Sequence, residues 1–302
     1  MIEDDGLNPV NLVMAGSGTT RLSGLNTYSG NTFLNSGVLQ ISGDAQLGTP
    51  SDVVARTITY ASTGTWEIRE GGNLHMDGGT LHAISDVQLD PKRTVFLGGN
   101  GGTLRVDPGN TLIVDGYISG EYNHVNLANG YSSADSLGGI ADRASLRNPD
   151  IGDLTIDGGG KVRFRFSPAG DGVAAGNLGH DYGGITWLNE GILQLEGVGS
   201  IGPGVLGTNR SFVDSTVIGA NGTLSFFFAS SDPSIQEWFT VRGQGYQGGG
   251  SFASTTVGTA RDYNLTGQIH LQADAQFNMR NGHDFNINNG GGDLFGAGNV
   301  IR

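Results

Sequence analysis

Residues 26–48 read NTYSGNTFLNSGVLQISGDAQLG, and residues 180–202 read HDYGGITWLNEGILQLEGVGSIG. At a constant offset of 154 residues, ten of these 23 aligned positions are identical. Several differing positions keep their apolar character, for example Phe33 against Trp187. Self-similarity over so long a period is typical of repeat architectures, so the chain holds nearly two copies of one long unit.

Short segments elsewhere in the chain alternate apolar and polar residues. In GTLRV (102–106) the apolar positions are Leu104 and Val106, and in KVRFRF (161–166) Val162 and Phe164 alternate with outward arginines. This period of two predicts strands with one buried face. The 54 glycines supply turns between them, and helical patterns are scarce. Strand-only repeats predict an all-β solenoid, a single-stranded parallel β-helix with loop insertions.

The order of these patterns predicts one continuous β-helix over residues 1–302. The first repeat unit covers about 10–120, an insertion without alternation covers about 121–150, and the second unit covers about 153–302. A weaker echo pairs 93–120 with 267–298. A short helix is predicted near 231–239, since Asp232 and Pro233 suit its N-cap and first turn.

Composition excludes several function classes. The formal net charge is −13, with only two lysines, Lys92 and Lys161, so nucleic acid is not expected as a partner. The chain has no cysteine, which removes disulfides and thiolate sites. No run approaches 18 apolar residues, so no transmembrane segment is expected. The start, MIEDDGLNPV, lacks the pattern of a signal peptide, so any export signal is expected outside this fragment.

The run GSGTTRLSGLNTYSGNTFLNSGVLQISGDAQLG (16–48) closely resembles the passenger-associated transport repeat of autotransporter passengers and related bacterial surface proteins. The second copy departs from the family pattern at His180 and Asp181, where Asn-Thr is expected. The structural motif residues assigned through the resemblance are Gly24, Asn26, Thr27, Tyr28, Gly30, Thr32, Leu34, Gly37, Leu39, Tyr182, Gly184, Thr186, Leu188, Gly191 and Leu193.

The resemblance implies a right-handed β-helix located outside the cell, at the bacterial surface. It carries no catalytic, cofactor-binding or metal-binding residue to transfer. The expected partners are further β-helix coils of the same polypeptide or other copies of the chain, together with host or environmental glycans and proteins.

A carbohydrate-active enzyme is the rival from another class, because β-helices also host polysaccharide-cleaving enzymes. Acidic residues cluster at Asp150, Asp153 and Asp157, and again at Asp86 and Asp90. A glycosidase holds two carboxylates across one sugar, whereas these aspartates lie in turn-rich segments where solvated positions are commoner. The rival places its cleft between insertions at 121–150 and 229–250.

Histidines and outward aromatic residues are the remaining candidates for chemistry. No two of the six histidines have metal-ligand spacing, although His75 and His82 are expected to face outward and could stack across coils. Outward Phe96 and Phe227 could form a sugar-stacking or protein-contact face, as could three tyrosines, Tyr122, Tyr131 and Tyr246. A glycan-binding module without turnover is therefore a third hypothesis.

The leading hypothesis is a non-enzymatic structural or adhesive rod, part of a secreted surface protein or fibre. Neither end of the sequence has the pattern of a cap, because the repeats run to both ends. Open coil ends favour assembly end to end as a sub-hypothesis.

Overall fold

The computed structural model describes residues 1–50, 54–60, 64–70, 73–120, 152–166, 180, 182, 184–197, 215–228, 234–235, 237–255, 262–265, 267–280, 282–287, 294–296 and 298–301. Within them the chain winds as a parallel β-solenoid, which confirms the predicted fold class. Each coil contributes strands to up to three faces, and every strand of a face pairs in parallel with its counterparts in adjacent coils.

The first face is a five-stranded parallel sheet in chain order. Its strands are Leu12–Met14, Thr32–Leu34, Leu74–Met76, Val95–Leu97 and Ile118–Gly120. Later in the chain, a separate three-stranded parallel sheet provides the strand that precedes each second-face strand. Its strands are Ser234–Ile235, Asp262–Leu265 and Asp284–Ile287.

The second face runs the length of the solenoid. Its strands are Thr19–Arg21, Val38–Ile41, Thr80–Ala83, Gly102–Val106, Leu154–Asp157, the first parts of Thr186–Gly197 and Thr216–Phe228, then Phe239–Gly243, Ile269–Ala275 and Leu294–Phe295. The third face contains Val87–Leu89, Thr111–Val114, Lys161–Phe166, the second parts of the same two long strands, Phe252–Ser254 and Phe277–Asn278. Two short 3₁₀ turns lie at Asp44–Leu47 and Tyr246–Gly248.

The core is one continuous cluster of apolar side chains that extends along the axis. Inward residues such as Leu39, Leu81, Leu104 and Ile156 follow one another from coil to coil in register and are almost fully buried. Full burial of each such side chain contributes about 1.5–3 kcal/mol, so a continuous interior stabilises the solenoid without disulfides.

A hairpin departs from the predicted pattern. Val54–Tyr60 pairs antiparallel with Gly64–Glu70, outside the parallel stack. In the sequence the two strands lie between the turn at Asp44–Leu47 and the first-face strand Leu74–Met76. The alternation of GTWEIRE correctly indicates a strand, yet period two is the same for parallel and antiparallel partners. Alternation alone therefore does not separate an inserted hairpin from a coil.

The helix predicted near 231–239 is wrong where the structure describes those residues. Ser234–Ile235 is a strand paired with Asn264 and Leu265, and Phe239 begins another strand. Ile235 and Phe239 are fully buried in the core, so tertiary pairing overrides the local helix signal. Asp232 and Pro233 lie outside the described residues, as does the insertion predicted at 121–150. Residues 237–250 belong to the coils and are not part of an insertion.

Among the described residues, the structure contains no helix with the length and hydropathy needed to cross a membrane.

Candidate functional site

The two copies of the repeat build the same buried hydrogen bond. The Tyr28 hydroxyl lies 2.6 Å from the Thr32 hydroxyl, and the Tyr182 hydroxyl lies 2.5 Å from that of Thr186. All four side chains are fully buried. Burial raises the pKa of Tyr28 and that of Tyr182, because a phenolate would lose its hydration in the core. The tyrosines therefore act as neutral structural anchors.

Glycines at the corner after each first repeat strand let adjacent coils touch. Gly37 has a φ of 72° and Gly191 a φ of 93°, values that disfavour other residues. A Cβ on Gly37 would collide with the carbonyl oxygen of Gly16, and one on Gly191 would approach that of Gly160. Close backbone contact also explains Gly30 and Gly184, whose added Cβ atoms would collide with the carbonyl oxygens of Val10 and Gly152, respectively.

The other motif residues hold neighbouring coils together or fill the core. Asn26 accepts a hydrogen bond from Ile2 N at 2.8 Å and donates one to Gln46 O at 2.7 Å, so it joins three layers. Thr27 N donates to the Ile2 carbonyl, and Gly24 adopts a φ of 83° with open space around it. The remaining motif residues, Leu34, Leu39, Leu188 and Leu193, point into the core and are almost fully buried.

The two copies lie on different faces of the solenoid. The strands Thr32–Leu34 and Val38–Ile41 occupy the first and second faces. The equivalent residues 186–188 and 192–195 continue the second and third faces, because they stack on Leu154–Ile156 and Lys161–Phe164. The second copy is therefore rotated by one face about the axis, while its local contacts are unchanged. The 154-residue sequence offset carries no sign of this rotation.

A buried arginine clamp was not predicted from the sequence. Arg93 is fully buried, and its Nε and Nη2 lie 2.7 and 3.1 Å from the Asp44 carboxylate. Its Nη1 donates to Leu47 O and to Asn73 Oδ1, at 3.0 and 2.8 Å. These bonds connect three successive coils at one corner. Burial of a charge requires such complete pairing, and sequence spacing does not reveal it.

Aspartates serve mainly to connect coils. Carboxylates of Asp77, Asp86 and Asp153 accept backbone N–H groups of Asn100, Thr111 and Ile185 in the following coil, at 2.7–2.8 Å. Asp153 also accepts the Trp187 indole N–H at 2.8 Å. Asp90 accepts Lys92 N at 2.9 Å. In the two predicted acidic clusters, Asp86, Asp90 and Asp153 thus make structural hydrogen bonds. Asp150 lies outside the described residues.

The histidines are placed in different environments. His75 faces outward, stacked with Phe33 at a centroid distance of 4.8 Å and lying 5.4 Å from Phe96, as the across-coil hypothesis expects. His82 is nearly buried, with Nε2 2.7 Å from Asp107 Oδ1. His180 lies in the core, and burial lowers its pKa to about 3. Within the described part of the chain, no three His, Asp or Glu residues are grouped so that they could hold a metal ion.

Comparison with known proteins identifies the unit. Residues 12–41 match the family profile of the passenger-associated transport repeat. The chain carries a passenger-associated transport repeat. The resemblance inferred from residues 16–48 is thereby confirmed, and the match covers the Tyr28–Thr32 hydrogen bond and the Gly37 corner.

A curated relative extends this similarity. The chain is 38% identical over 109 residues to the adhesin BmaC autotransporter of Brucella suis biovar 1 (strain 1330). The aligned region is 36% of this chain and 2% of the relative, so the chain spans a very small share of that protein's length. No solved structure matches. The transport repeat and the autotransporter relative support the predicted extracellular location at the cell surface.

The faces beside the transport repeat present regular outward columns. On the second face, outward positions pass in register from Thr19 through Val38, then Thr80, Thr103 and Thr155, and on to Trp187, Val217 and Thr240. On the first face the rings of Phe33, His75 and Phe96 face one another. The side of the Phe96 ring that faces His75 is therefore in contact with the protein and is not open to a sugar.

A row of cations on the third face is largely neutralised. Arg165 makes two hydrogen bonds to Asp115, at 2.6 and 2.5 Å, and Arg163 is paired with Glu196. The pKa of Lys161 is lowered by burial and by the neighbouring Arg163 charge. Phe227 lies half-buried in the adjoining strand, Tyr246 is half-buried at the corner, and Tyr122 and Tyr131 lie outside the described residues.

Proposed function

We propose that the chain is a non-enzymatic adhesive and structural segment of a secreted bacterial surface protein. This proposal rests on the hydrogen bonds that the polar side chains of the chain make. Two of the aspartates that could serve an enzyme, Asp86 and Asp153, accept backbone N–H groups of the adjacent coil, and Arg93 is enclosed by hydrogen bonds. Side chains committed in this way stabilise a long surface and are not free to take part in acid–base chemistry.

The relative supports the adhesive part of the proposal. That protein is named an adhesin, and this chain aligns with a small share of it. We infer that the coils present their outward columns to host or environmental glycans or proteins. The second face suits contact with a large partner, since its Thr- and Val-rich column is continuous over many coils.

Binding of single copies tests this function. Particles coated with the 302-residue chain should bind cell layers or an array of surface glycans and proteins more than bare particles do. A variant with Thr80→Glu and Thr103→Glu places charges on the second-face column and should lose binding. The matched control, Ile113→Glu and Ile192→Glu, changes two outward positions of the third face.

Two results would count against this function. The first is equal binding by coated and bare particles. The second is release of reducing ends from acidic or neutral polysaccharides by the purified chain, which would favour the carbohydrate-active rival.

The proposed rod also includes stacking at its ends. Leu12 and Met14 at one end, and Phe277, Phe285 and Ile287 at the other, are only partly buried although they pack on the core. Further coils of the same polypeptide, or other copies of the chain, would cover these residues.

A further inference from the structure

Trp187 places an indole ring in the outward column of the second face. It lies in register with Thr155 of the preceding coil and with Val217 of the following coil. Its side chain is partly exposed, although Thr186 and Leu188 on either side of it in the strand are fully buried. A large apolar ring thus occupies the position that threonine fills in the three coils before it.

A hydrogen bond fixes the orientation of this ring. The indole N–H of Trp187 donates to Asp153 Oδ2 at 2.8 Å. Asp153 belongs to the preceding coil and lies two residues before Thr155, so the bond directs the indole sideways across the sheet. Asp153 is itself held, because its other carboxylate oxygen accepts Ile185 N at 2.8 Å. A ring held in this way is preorganised, which lowers the entropic cost of binding a ligand.

The threonines of the same column have hydroxyls that are open to a ligand. Thr103 and Thr155 precede Trp187 in the column, Thr240 follows Val217, and all three threonines are partly exposed. In the described part of the chain, none of these three hydroxyls is hydrogen-bonded to another protein group. A sugar combines an apolar ring face with hydroxyl groups, so an aromatic ring beside unused hydroxyls matches both of its surfaces.

A second tryptophan lies on the same face. Trp238 is partly exposed and precedes Thr240 by two residues, and Thr216 N donates to its carbonyl oxygen at 2.9 Å, which continues the parallel ladder. Since Thr240 stacks on Val217 and Val217 on Trp187, two coil spacings separate the tryptophans along the axis. Their Cα atoms are therefore about 12 Å apart, a distance that one extended oligosaccharide spans.

The charge around the ring selects among sugars. The net charge of the chain is −13, and the Asp153 carboxylate lies beside the indole, so carboxylated or sulfated sugars are repelled. We propose that Trp187 is the stacking platform of a site for neutral, β-linked glycans. The glycan lies along the second face, and the threonine hydroxyls bond to its hydroxyl groups. This inference rests on the proposed adhesive function and names its class of ligand.

The fluorescence of a chain that retains only Trp187 tests the inference. The variant Trp66→Phe, Trp238→Phe is titrated with the neutral hexasaccharides cellohexaose, chitohexaose and xylohexaose. Binding should shift the Trp187 emission to shorter wavelength and should protect the indole from quenching by acrylamide. The matched control, Trp187→Phe with Trp238→Phe, retains only Trp66, in the hairpin outside the parallel stack, and its emission should not change. An oligogalacturonate of the same length should change neither emission.

Calorimetric titration of single variants separates stacking from folding. Trp187→Leu keeps an apolar side chain without a ring and should weaken binding of the hexasaccharide by about tenfold or more. Trp187→Phe restores a ring and should weaken binding less than Trp187→Leu does. Thr155→Val removes one hydroxyl at nearly constant shape and should weaken binding by about two- to tenfold. Circular dichroism of each variant confirms that the solenoid is folded.

The inference is overturned if none of the neutral hexasaccharides changes the Trp187 emission, if oligogalacturonate binds as tightly as they do, or if Trp187→Leu binds as tightly as the unchanged chain. The outcome for adhesion is separate. Coated particles that bind cell layers equally well with and without Trp187→Leu would overturn the sugar site and leave adhesion standing. Coated particles that bind no more than bare ones, from a chain that binds a hexasaccharide through Trp187, would overturn adhesion and leave the sugar site standing.

Discussion

Arg93 and Asp44 lie 49 residues apart in the sequence and form a bidentate ion pair, with Arg93 Nε 2.7 Å from Asp44 Oδ1. The guanidinium is fully enclosed, and the Asp44 side chain is 19% exposed. The backbone carbonyls of Leu47 and Gly48 and the side-chain oxygen of Asn73 accept its remaining donors. The Arg93 side chain thus connects the coil that precedes the hairpin to the next two coils.

Loss of the carboxylate should be costly because the arginine would stay buried without its counter-charge. Asp44→Ala is expected to lower the free energy of unfolding by about 3–5 kcal/mol. Urea denaturation followed by circular dichroism measures this. Glu190→Gln, at an exposed corner, is the matched control and should change stability by less than about 0.5 kcal/mol. Equal midpoints for the two variants would show that the clamp is not stabilising.

The corner glycines should not tolerate a side chain. Gly37→Ala and Gly191→Ala are each expected to destabilise the protein by about 1–3 kcal/mol, because positive φ and a neighbouring carbonyl oppose the Cβ. Gly43→Ala is the control, since Gly43 has extended backbone and no atom near an added Cβ. Thermal unfolding of the three variants compares them. A Gly37 variant as stable as the Gly43 variant would contradict the stacking of Gly37 on Gly16.

The tyrosine anchors should be equivalent although they lie on different faces. Tyr28→Phe and Tyr182→Phe each remove one buried hydroxyl–hydroxyl bond and should cost about 0.5–1.5 kcal/mol. Double-mutant cycles with Thr32→Val and Thr186→Val should give similar coupling energies in the two copies. Coupling in one copy and none in the other would mean that the local structure of the repeat is not preserved.

Acid should weaken the core at His180. Burial lowers its pKa from 6.5 to about 3, so the unfolded chain binds a proton that the folded chain does not bind between these values. Stability from this residue is complete above pH 6.5 and decreases by about 1.4 kcal/mol per pH unit as the pH falls toward 3.

Urea unfolding between pH 7 and 4 measures this slope. His180→Gln retains a hydrogen-bond acceptor for Ile118 N and should reduce the dependence of the unfolding free energy on pH. His270→Gln, at an exposed position, should leave that dependence unchanged. An unchanged slope in the His180 variant would contradict the assignment.

The parallel stack could be predicted because its causes are local and repeated. Alternating residues such as Leu104 and Val106 identify inward positions, and both copies keep the Tyr–Thr pair and the corner glycine. Each of these features follows from short-range rules for strands and turns. The family comparison then confirmed the repeat at residues 12–41.

The unpredicted features depend on contacts between distant residues. Arg93 is one of 14 arginines, and only the folded corner shows that it meets Asp44. The hairpin at 54–70 differs from a coil only in the direction of its partner. The rotation of the second copy depends on how much chain is inserted between the copies, which a constant 154-residue offset does not report.

The central claim is that the coils stack in register along one axis, and a distance between two spin labels tests it most directly. The chain has no native cysteine, so Thr80→Cys and Thr240→Cys can be labelled specifically. The two positions lie in one outward column, joined through Thr103, Thr155, Trp187 and Val217. Five coil spacings predict a narrow distribution centred at about 24 Å, broadened only by the label linkers. A broad distribution, or a narrow one centred well away from that distance, would contradict the account.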